Sequence, residues 1–168
     1  VTTEVWADLA DQQALSNKAT LFIDQPAERL MALAKVLAPN AKIYATALGP
    51  ISMKNQKQLT AAAQALDAQL ISRSITGESN PLTVLTPLLK EADLFVAIPD
   101  NSVINRNIAK WVLHLAFKHK IPVVGFSKAY TDAVGTASLY TSNEDISHQA
   151  QDWLEAYLDN PDQAQWQT

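Results

Sequence analysis

Short apolar runs alternate with longer amphipathic segments along most of this chain. Five of the runs have the length and composition of buried β-strands, and glycine, proline or small polar residues follow them. They cover residues 42–48, 69–75, 94–98, 123–126 and 137–140. In the segments between them, apolar residues recur at the spacing of a helix. The pattern predicts β-α-β units, and therefore a parallel sheet with helices packed on it.

Three helices are expected between these strands. Ser52 is placed to cap a helix over 53–66. A second helix spans 81–90, and it is expected to restart at Thr86-Pro87 because an internal proline breaks the hydrogen-bond ladder. The third runs from about 103 to 119, and its core face is expected to carry Ile104, Ile108, Val112, Leu115 and Ala116.

The two ends of the chain fit this alternation less regularly. Residues 19–23 are a candidate strand, and Asp24-Gln-Pro26 is expected to start a helix that stops before Pro39. Near the other end, Ser142 and Asp145 have the spacing of a capping box that opens another helix.

The pattern divides the chain into an N-terminal extension over 1–40, an α/β lobe over 41–158 and a polar tail over 159–168. A length of 168 residues and a hydrophobic content of 48% suit one compact core. The fold class expected for the lobe is α/β, with a doubly wound parallel sheet of about five strands in the flavodoxin-like order 2-1-3-4-5.

Composition and charge exclude several classes of function. Without cysteine the chain has no disulfide, zinc–thiolate site or thiol catalysis. A formal charge of −4 with scattered lysines offers no basic surface for nucleic acid. No apolar run approaches the ~20 residues that span a bilayer. The first residue is Val1, so we expect a processed or truncated product, from which a signal peptide could have been removed.

Motifs for catalysis and cofactor binding are also missing from the sequence. The glycines are too dispersed for a dinucleotide fingerprint or a phosphate loop: Gly49, Gly77, Gly125 and Gly135. His114 and His119 diverge by about 140° around a helix, which does not suit a metal pair. No nucleophile is paired with a base. We therefore expect no enzyme activity, no metal and no cofactor.

Small polar residues follow the strands at their carboxyl ends. In the order 2-1-3-4-5 the ends of the first and third strands meet at the topological switch point, where open α/β sheets bind ligands. Gly49 and Ser52 would then face Asp100, Asn101 and Ser102. Both loops open helices, whose N-terminal N–H groups and dipole favour a carboxylate or a similar anion.

The loop after the fourth strand adds a hydroxyl, a cation and an aromatic ring to the same edge. The candidate ligand-binding residues are therefore Gly49, Ser52, Asp100, Asn101, Ser102, Ser127, Lys128 and Tyr130. Each residue taken alone also has a structural explanation, since serine and asparagine cap helices and aspartate stabilises turns.

Several stretches together, in their order and spacing, resemble the substrate-binding proteins of ABC transporters. They are Asp24-Gln-Pro26, Leu37-Ala-Pro39 with Leu48-Gly-Pro50, Ala92-Asp-Leu-Phe-Val-Ala-Ile-Pro-Asp100, and Ile121-Pro-Val-Val-Gly-Phe-Ser127 with Ala129-Tyr130 and Gly135. The resemblance covers about 19–158. It is to the branch with a type I periplasmic-binding-protein fold, some of whose members bind aromatic amino acids.

The resemblance implies two α/β lobes that close on a small ligand, in a protein that is periplasmic, secreted or lipid-anchored. It further implies that Ser52 and Ser102 bond a ligand carboxylate, that Asp100 binds an amine and that Tyr130 packs on the ligand. Two lobes need roughly twice this length, at ~100 to 150 residues each. Most of the N-terminal lobe is therefore expected to be missing.

Segments that pack against the other lobe in that family, here residues 1–40 and the helix over 146–158, need another partner. They either fold back on the single lobe or mediate homo-oligomerisation, and the sequence leaves both open. The function implied is a solute-binding component of an ABC importer, or a fragment of one, with a small molecule such as an amino acid as ligand and a permease as partner. The alternative is a non-enzymatic, flavodoxin-like regulatory or protein-interaction module.

Overall fold

The computed structural model describes residues 23–76, 80–101, 106–134 and 137–159. The strands are β1 (Ile43–Leu48), β2 (Gln69–Ser74), β3 (Leu94–Val96), β4 (Val123–Gly125) and β5 (Ala137–Ser138). The helices are α1 (Ala27–Leu37), α2 (Gln56–Gln64), α3 (Pro81–Glu91), α4 (Arg106–His119), α5 (Lys128–Val134) and α6 (Asn143–Asp159). Most of the candidate strand over 19–23 and of the tail over 159–168 lies outside the described residues.

The five strands form one parallel sheet in the order β2-β1-β3-β4-β5, which confirms the predicted fold class and strand order. In the middle of the sheet, Ala45 of β1 lies opposite Phe95 of β3, which in turn lies opposite Val123 of β4. Because every strand runs the same way, all five carboxyl ends lie at one edge.

Helices cover both faces of the sheet, so the fold is doubly wound. One face carries α1 and α2, with a buried cluster that includes Leu30, Met31, Leu59, Ala63, Tyr44, Leu48 and Val96. The other face carries α3 and α4, with a cluster that includes Leu85, Leu88, Leu89, Val112, Leu115, Phe95 and Val123. Successive residues of a strand point to opposite faces, so the central strands supply side chains to both clusters.

The chain divides into two compact units, Pro26–Leu139 on one hand and the terminal segments Val1–Gln25 and Tyr140–Thr168 on the other. Helix α1 belongs to the first unit, where Leu30, Met31 and Ala34 are buried against the sheet. Of the two outcomes that the sequence left open, this helix therefore folds back on the lobe.

The prediction that the helix breaks at Pro87 is wrong, because α3 is one continuous helix. Its start is well defined, because the Asn80 side chain accepts a hydrogen bond from the Leu82 N–H at 3.0 Å. Pro87 removes one backbone bond, the one to the Thr83 carbonyl, but both residues are on the exposed side, where water can solvate that carbonyl. The buried leucines on the opposite side hold the helix together.

The helix expected over 53–66 is shorter and starts differently. A 3₁₀ turn over Ser52–Asn55 precedes α2, and neither Ile51 nor Asn55 caps it with a side chain. Ser52 does not act as the helix cap that the pattern predicted, because its side chain is bonded to the loop that follows β3.

The capping box at the start of α6 is confirmed. The Asp145 N–H donates to Ser142 Oγ at 3.1 Å, while the Ser142 N–H and hydroxyl donate to Asp145 Oδ2 at 3.0 and 2.6 Å. These bonds from Ser142 favour the ionised carboxylate and lower the pKa of Asp145. In the unit formed by the terminal segments, Thr141 links the two segments: its hydroxyl donates to the Ile23 carbonyl and accepts a hydrogen bond from Gln25 Nε2 at 2.7 Å.

Two hydroxyls of β1, those of Tyr44 and Thr46, are buried with no hydrogen-bond partner among the described residues. Burial raises the pKa of the Tyr44 phenol. Burying a hydroxyl without a partner costs about 1–3 kcal/mol in proteins, and valine has nearly the shape of threonine. We therefore expect Thr46→Val to raise the free energy of unfolding by about 1 kcal/mol in urea denaturation followed by circular dichroism.

Thr60 offers a matched control for that substitution. Its hydroxyl donates to the Gln56 carbonyl at 2.8 Å, so Thr60→Val removes a satisfied group and should give no gain. A Thr46→Val protein that is less stable than the parent would show that the hydroxyl has a partner in solution.

Candidate functional site

The topological switch point lies between β1 and β3. The two strands are neighbours, but β1 leads to α2 on one face of the sheet and β3 leads to α4 on the other. The loops that follow them, 49–52 and 97–101, therefore separate at the carboxyl edge of the sheet. Open α/β sheets bind ligands in the crevice that forms in this way.

A pair of buried polar side chains joins the two loops across this crevice. Ser52 donates to Asp100 Oδ2 twice, from its backbone N–H at 2.8 Å and from its hydroxyl at 2.7 Å. Ser52 Oγ also accepts the Gly49 N–H at 3.0 Å. The residues are 2% and 3% exposed, respectively, so the bonds are largely shielded from water. The structure thus brings together Gly49, Ser52 and Asp100, as the sequence predicted.

This pairing changes the electrostatics that the sequence suggested. The N–H groups at the start of the first loop's helix were expected to attract a ligand carboxylate. In the structure the Ser52 N–H already donates to a carboxylate of the chain itself, that of Asp100. The base of the crevice therefore carries a protein carboxylate, which favours a ligand group that is positively charged or donates hydrogen bonds.

A second aspartate ties the same two strands together at their amino ends. Asp93 Oδ2, just before β3, accepts the N–H groups of Lys42 and Ile43 at 2.8 and 2.9 Å. Asp93 therefore joins the start of β3 to the start of β1, and Asp100 joins the loop after β3 to the loop after β1. These two sets of hydrogen bonds act as clamps on the strand pair. Because both clamps hold β1 beside β3, the sheet sets the spacing of the two loops at the crevice.

The loop after β4 places Tyr130 in the core. The side chain is 5% exposed and belongs to the cluster that contains the leucines of α3. Its ring centroid lies 5.2 Å from that of Phe126, and burial raises the pKa of its phenol to about 12. The backbone turns sharply here, since the Tyr130 N–H donates to the Ser127 carbonyl at 3.0 Å.

Lys128, Ser127 and Asn101 occupy more open positions in these loops. Lys128 Nζ donates to both oxygens of Asp132, at 2.9 and 2.7 Å, on the exposed side of α5. Such exposed pairs contribute little to stability. Ser127 is half-buried and Asn101 is exposed, while Ser102 lies outside the described residues.

One residue of the crevice was not among the sequence candidates. Ile51, in the loop after β1, is 38% exposed, a high value for a large apolar side chain beside a strand end. The available signal was its setting between Pro50 and Ser52, where an apolar residue fits neither the strand nor the helix pattern. Pro50 and Ile51 therefore add exposed apolar surface to the loop after β1, whose other candidate residues are small or polar.

Within the described ranges, no group of three or more histidine, aspartate or glutamate residues could hold a metal ion. None of the helices in those ranges combines the length and apolar character that crossing a bilayer requires.

Comparison with known proteins rests on structure. No protein-family model matches the sequence, and no curated protein matches it. Among solved structures, a conserved domain protein from Vibrio cholerae aligns over 80% of this chain and 46% of its own, with a TM-score of 0.63 and 22% identity. A Streptococcus pneumoniae structure, described as the ABC domain in complex with L-Trp, aligns over the same shares with a TM-score of 0.64 and 17% identity.

At these identities the likeness concerns the fold. It agrees with the doubly wound parallel sheet described above. The chain spans about half the length of each of the two solved chains that it matches.

Proposed function

We propose that this chain is a solute-binding component of an ABC importer, or a fragment of one, and that it binds a small molecule with an amino group, such as an amino acid. The observation that carries the proposal is the buried Asp100 carboxylate at the base of the switch-point crevice. A protonated amine is the ligand group that such a carboxylate favours most.

The exposed residues of the two loops provide the remaining contacts in this proposal. Asn101 offers an amide to the polar end of the ligand, and Ile51 offers apolar surface to its side chain. Ser102, two residues after Asp100, is the proposed partner of the ligand carboxylate. Ser52 acts through Asp100, whose Oδ2 it holds in place with two hydrogen bonds.

The comparison with solved proteins supports this function through the fold. The Streptococcus pneumoniae structure contains L-Trp by its description, and this chain corresponds to about half of that protein. We infer that the second wall of the binding cleft comes from another α/β lobe, and that the closed form is presented to a permease outside the cytoplasm.

The proposal predicts heat from at least one amino acid in calorimetric titrations, with L-Trp tested first. Two samples are compared, the 168-residue chain and the product of the complete reading frame that encodes it. Ile51→Ala and Asn101→Ala should each weaken binding about tenfold, because each removes one ligand contact worth about 1.4 kcal/mol. Lys57→Ala, on the exposed side of α2, is the matched control and should leave the affinity unchanged.

The absence of heat with every amino acid and with both samples would contradict the proposal. It would favour the second candidate, a protein-interaction module without a ligand. That candidate is supported by the bonds that several predicted ligand groups make within the chain: Ser52 with Asp100, and Lys128 with Asp132.

A further inference from the structure

Helix α4 carries a row of basic residues along one side. Arg106, Lys110, His114 and Lys118 recur at every fourth position, and the helix has no acidic residue. At 100° per residue this spacing keeps the four positions within an arc of about 120°, and at 1.5 Å per residue the row is about 18 Å long. Like charges one turn apart destabilise a helix, so helix stability does not explain the row.

The row lies on the outer side of the helix. Its middle, at His114, is about 160° around the helix from Val112, and Val112 is buried against the sheet. Three of the four side chains of the row are described, and all three are exposed. An aromatic side chain borders the row on each side: Phe117 is 75% exposed and Trp111 is 43% exposed. The Trp111 ring lies edge-on to that of His114, with 6.4 Å between the ring centroids.

The charges of the chain are divided unevenly between its two units. The sheet unit, Pro26–Leu139, has 12 lysine and arginine residues against 7 aspartate and glutamate residues, whereas the terminal segments hold most of the acidic residues. No acidic residue occurs between Asp100 and Asp132 in the sequence. On the helices beside α4, the acidic residues are Glu91 at the end of α3 and Asp132 on α5, and Asp132 is paired with Lys128. The sheet unit therefore does little to neutralise the basic row.

We propose that the outer side of α4 docks on an anionic lipid surface, with the basic row over the headgroups and with Trp111 and Phe117 inserted between them. Such a surface is complementary to the row in charge. Aromatic and basic side chains are also the residues that helices lying on a membrane place at the level of the headgroups. The docking surface is distinct from the proposed ligand site. Because α4 follows β3 and precedes β4, it begins at the carboxyl edge, where the crevice lies, and ends at the opposite edge, near Phe117 and Lys118.

A lipid surface suits this side of α4 better than a protein partner does. A single helix presents a convex surface, and a stable protein interface needs about 800 Å² per partner with matching shapes. A lipid surface requires no matching shape, and each basic residue close to it adds to the attraction. With one row of basic residues and two aromatic rings, we expect weak, reversible binding that decreases as salt screens the charges.

Co-sedimentation with lipid vesicles tests the proposal on the 168-residue chain. The unaltered chain should bind vesicles of equal parts phosphatidylglycerol and phosphatidylcholine, and its affinity should fall as salt rises. It should bind pure phosphatidylcholine at least about tenfold more weakly. The double variant Lys110→Glu/Lys118→Glu should bind the anionic vesicles at least about tenfold more weakly, because two attractive groups become repulsive. Phe117→Ala should weaken binding several-fold but keep the salt dependence, since the charges remain.

The double variant Arg29→Glu/Lys57→Glu is the matched control. Both residues are exposed, on the helices of the other face of the sheet, and the pair changes the net charge by the same amount. It should leave binding to the anionic vesicles unchanged, and circular dichroism should show that every variant is folded. Equal weakening by the two double variants would overturn the proposal, because the attraction would then come from the total charge.

An unaltered chain that does not bind the anionic vesicles at low salt would also overturn the proposal. Sedimentation velocity on the same samples then identifies the alternative partner. If the unaltered chain self-associates and Lys110→Glu/Lys118→Glu abolishes the association, the basic row docks on a second copy.

Discussion

Replacing Gly125 by alanine should lower the free energy of unfolding of the sheet unit by about 3 kcal/mol or more, at the upper end of overpacking effects. A β-carbon at this position would lie 2.3 Å from Tyr130 Cβ and 2.6 Å from its Cγ. Both atoms are close to the backbone of α5, so a rotamer change cannot relieve the clash. The chain would have to move α5 away from β4, and urea denaturation would measure the cost.

A double-mutant cycle separates this clash from a general intolerance of β4. Truncating Tyr130 to alanine is not sufficient, because the alanine β-carbon remains 2.3 Å away. Tyr130→Gly removes it, at the cost of a cavity. We expect the double variant Gly125→Ala/Tyr130→Gly to be more stable than the sum of the single effects predicts, because the second change relieves the first. If the effects of the two single substitutions simply added, the destabilisation by Gly125→Ala would not come from the contact with Tyr130. It would come from another contact, for example with Ser138 Oγ, which lies 2.8 Å from the added carbon.

The substitution Asp100→Ala should destabilise the protein by about 2–4 kcal/mol, because it leaves buried donors of Ser52 without their acceptor. The Ser52 hydroxyl can still turn towards the Gly49 carbonyl, which lies at 3.5 Å, but its backbone N–H cannot. The measurement is again urea denaturation followed by circular dichroism.

The clamp at the other end of the strand pair gives a matched control. Asp93 also accepts two hydrogen bonds through one oxygen, from Lys42 and Ile43, but it is exposed. Water can replace its carboxylate, so we expect Asp93→Ala to cost only about 1 kcal/mol. Equal costs for the two substitutions would mean that the crevice at Asp100 is hydrated, and that burial does not determine the value of the clamp.

The strand order was predictable because it depends on signals that are local and repeated. Each strand is a short apolar run that ends in turn residues, and each intervening helix has one apolar side. Connections between parallel strands cross over in one hand, and this restricts the possible topologies. The spacing of Ser142 and Asp145 likewise sufficed to place the start of α6, since a capping box involves only neighbouring residues.

The candidate site was predictable as a location but not as a set of interactions. The sequence placed Ser52 and Asp100 at the same sheet edge, and the structure brings them into contact. The sequence could not show that the two side chains bond each other, because the bond depends on the distance between two loops that are 48 residues apart in the chain. Tyr130 is a similar case, since only the packing of α5 on Gly125 directs its ring into the core.

Pro87 shows where a local rule fails. The rule that proline breaks a helix weighs a single hydrogen bond, while the buried side of α3 contributes three leucines to the core. Packing outweighs the lost bond when the affected carbonyl faces water.

The sequence by itself determined the strand order, the doubly wound fold and the edge of the sheet at which polar residues gather, because periodicity and turn chemistry are encoded over a few residues. Only the tertiary structure decided which of those polar groups bond one another. Hydrogen bonds between distant segments depend on ångström-scale distances, and these are set when the whole sheet packs.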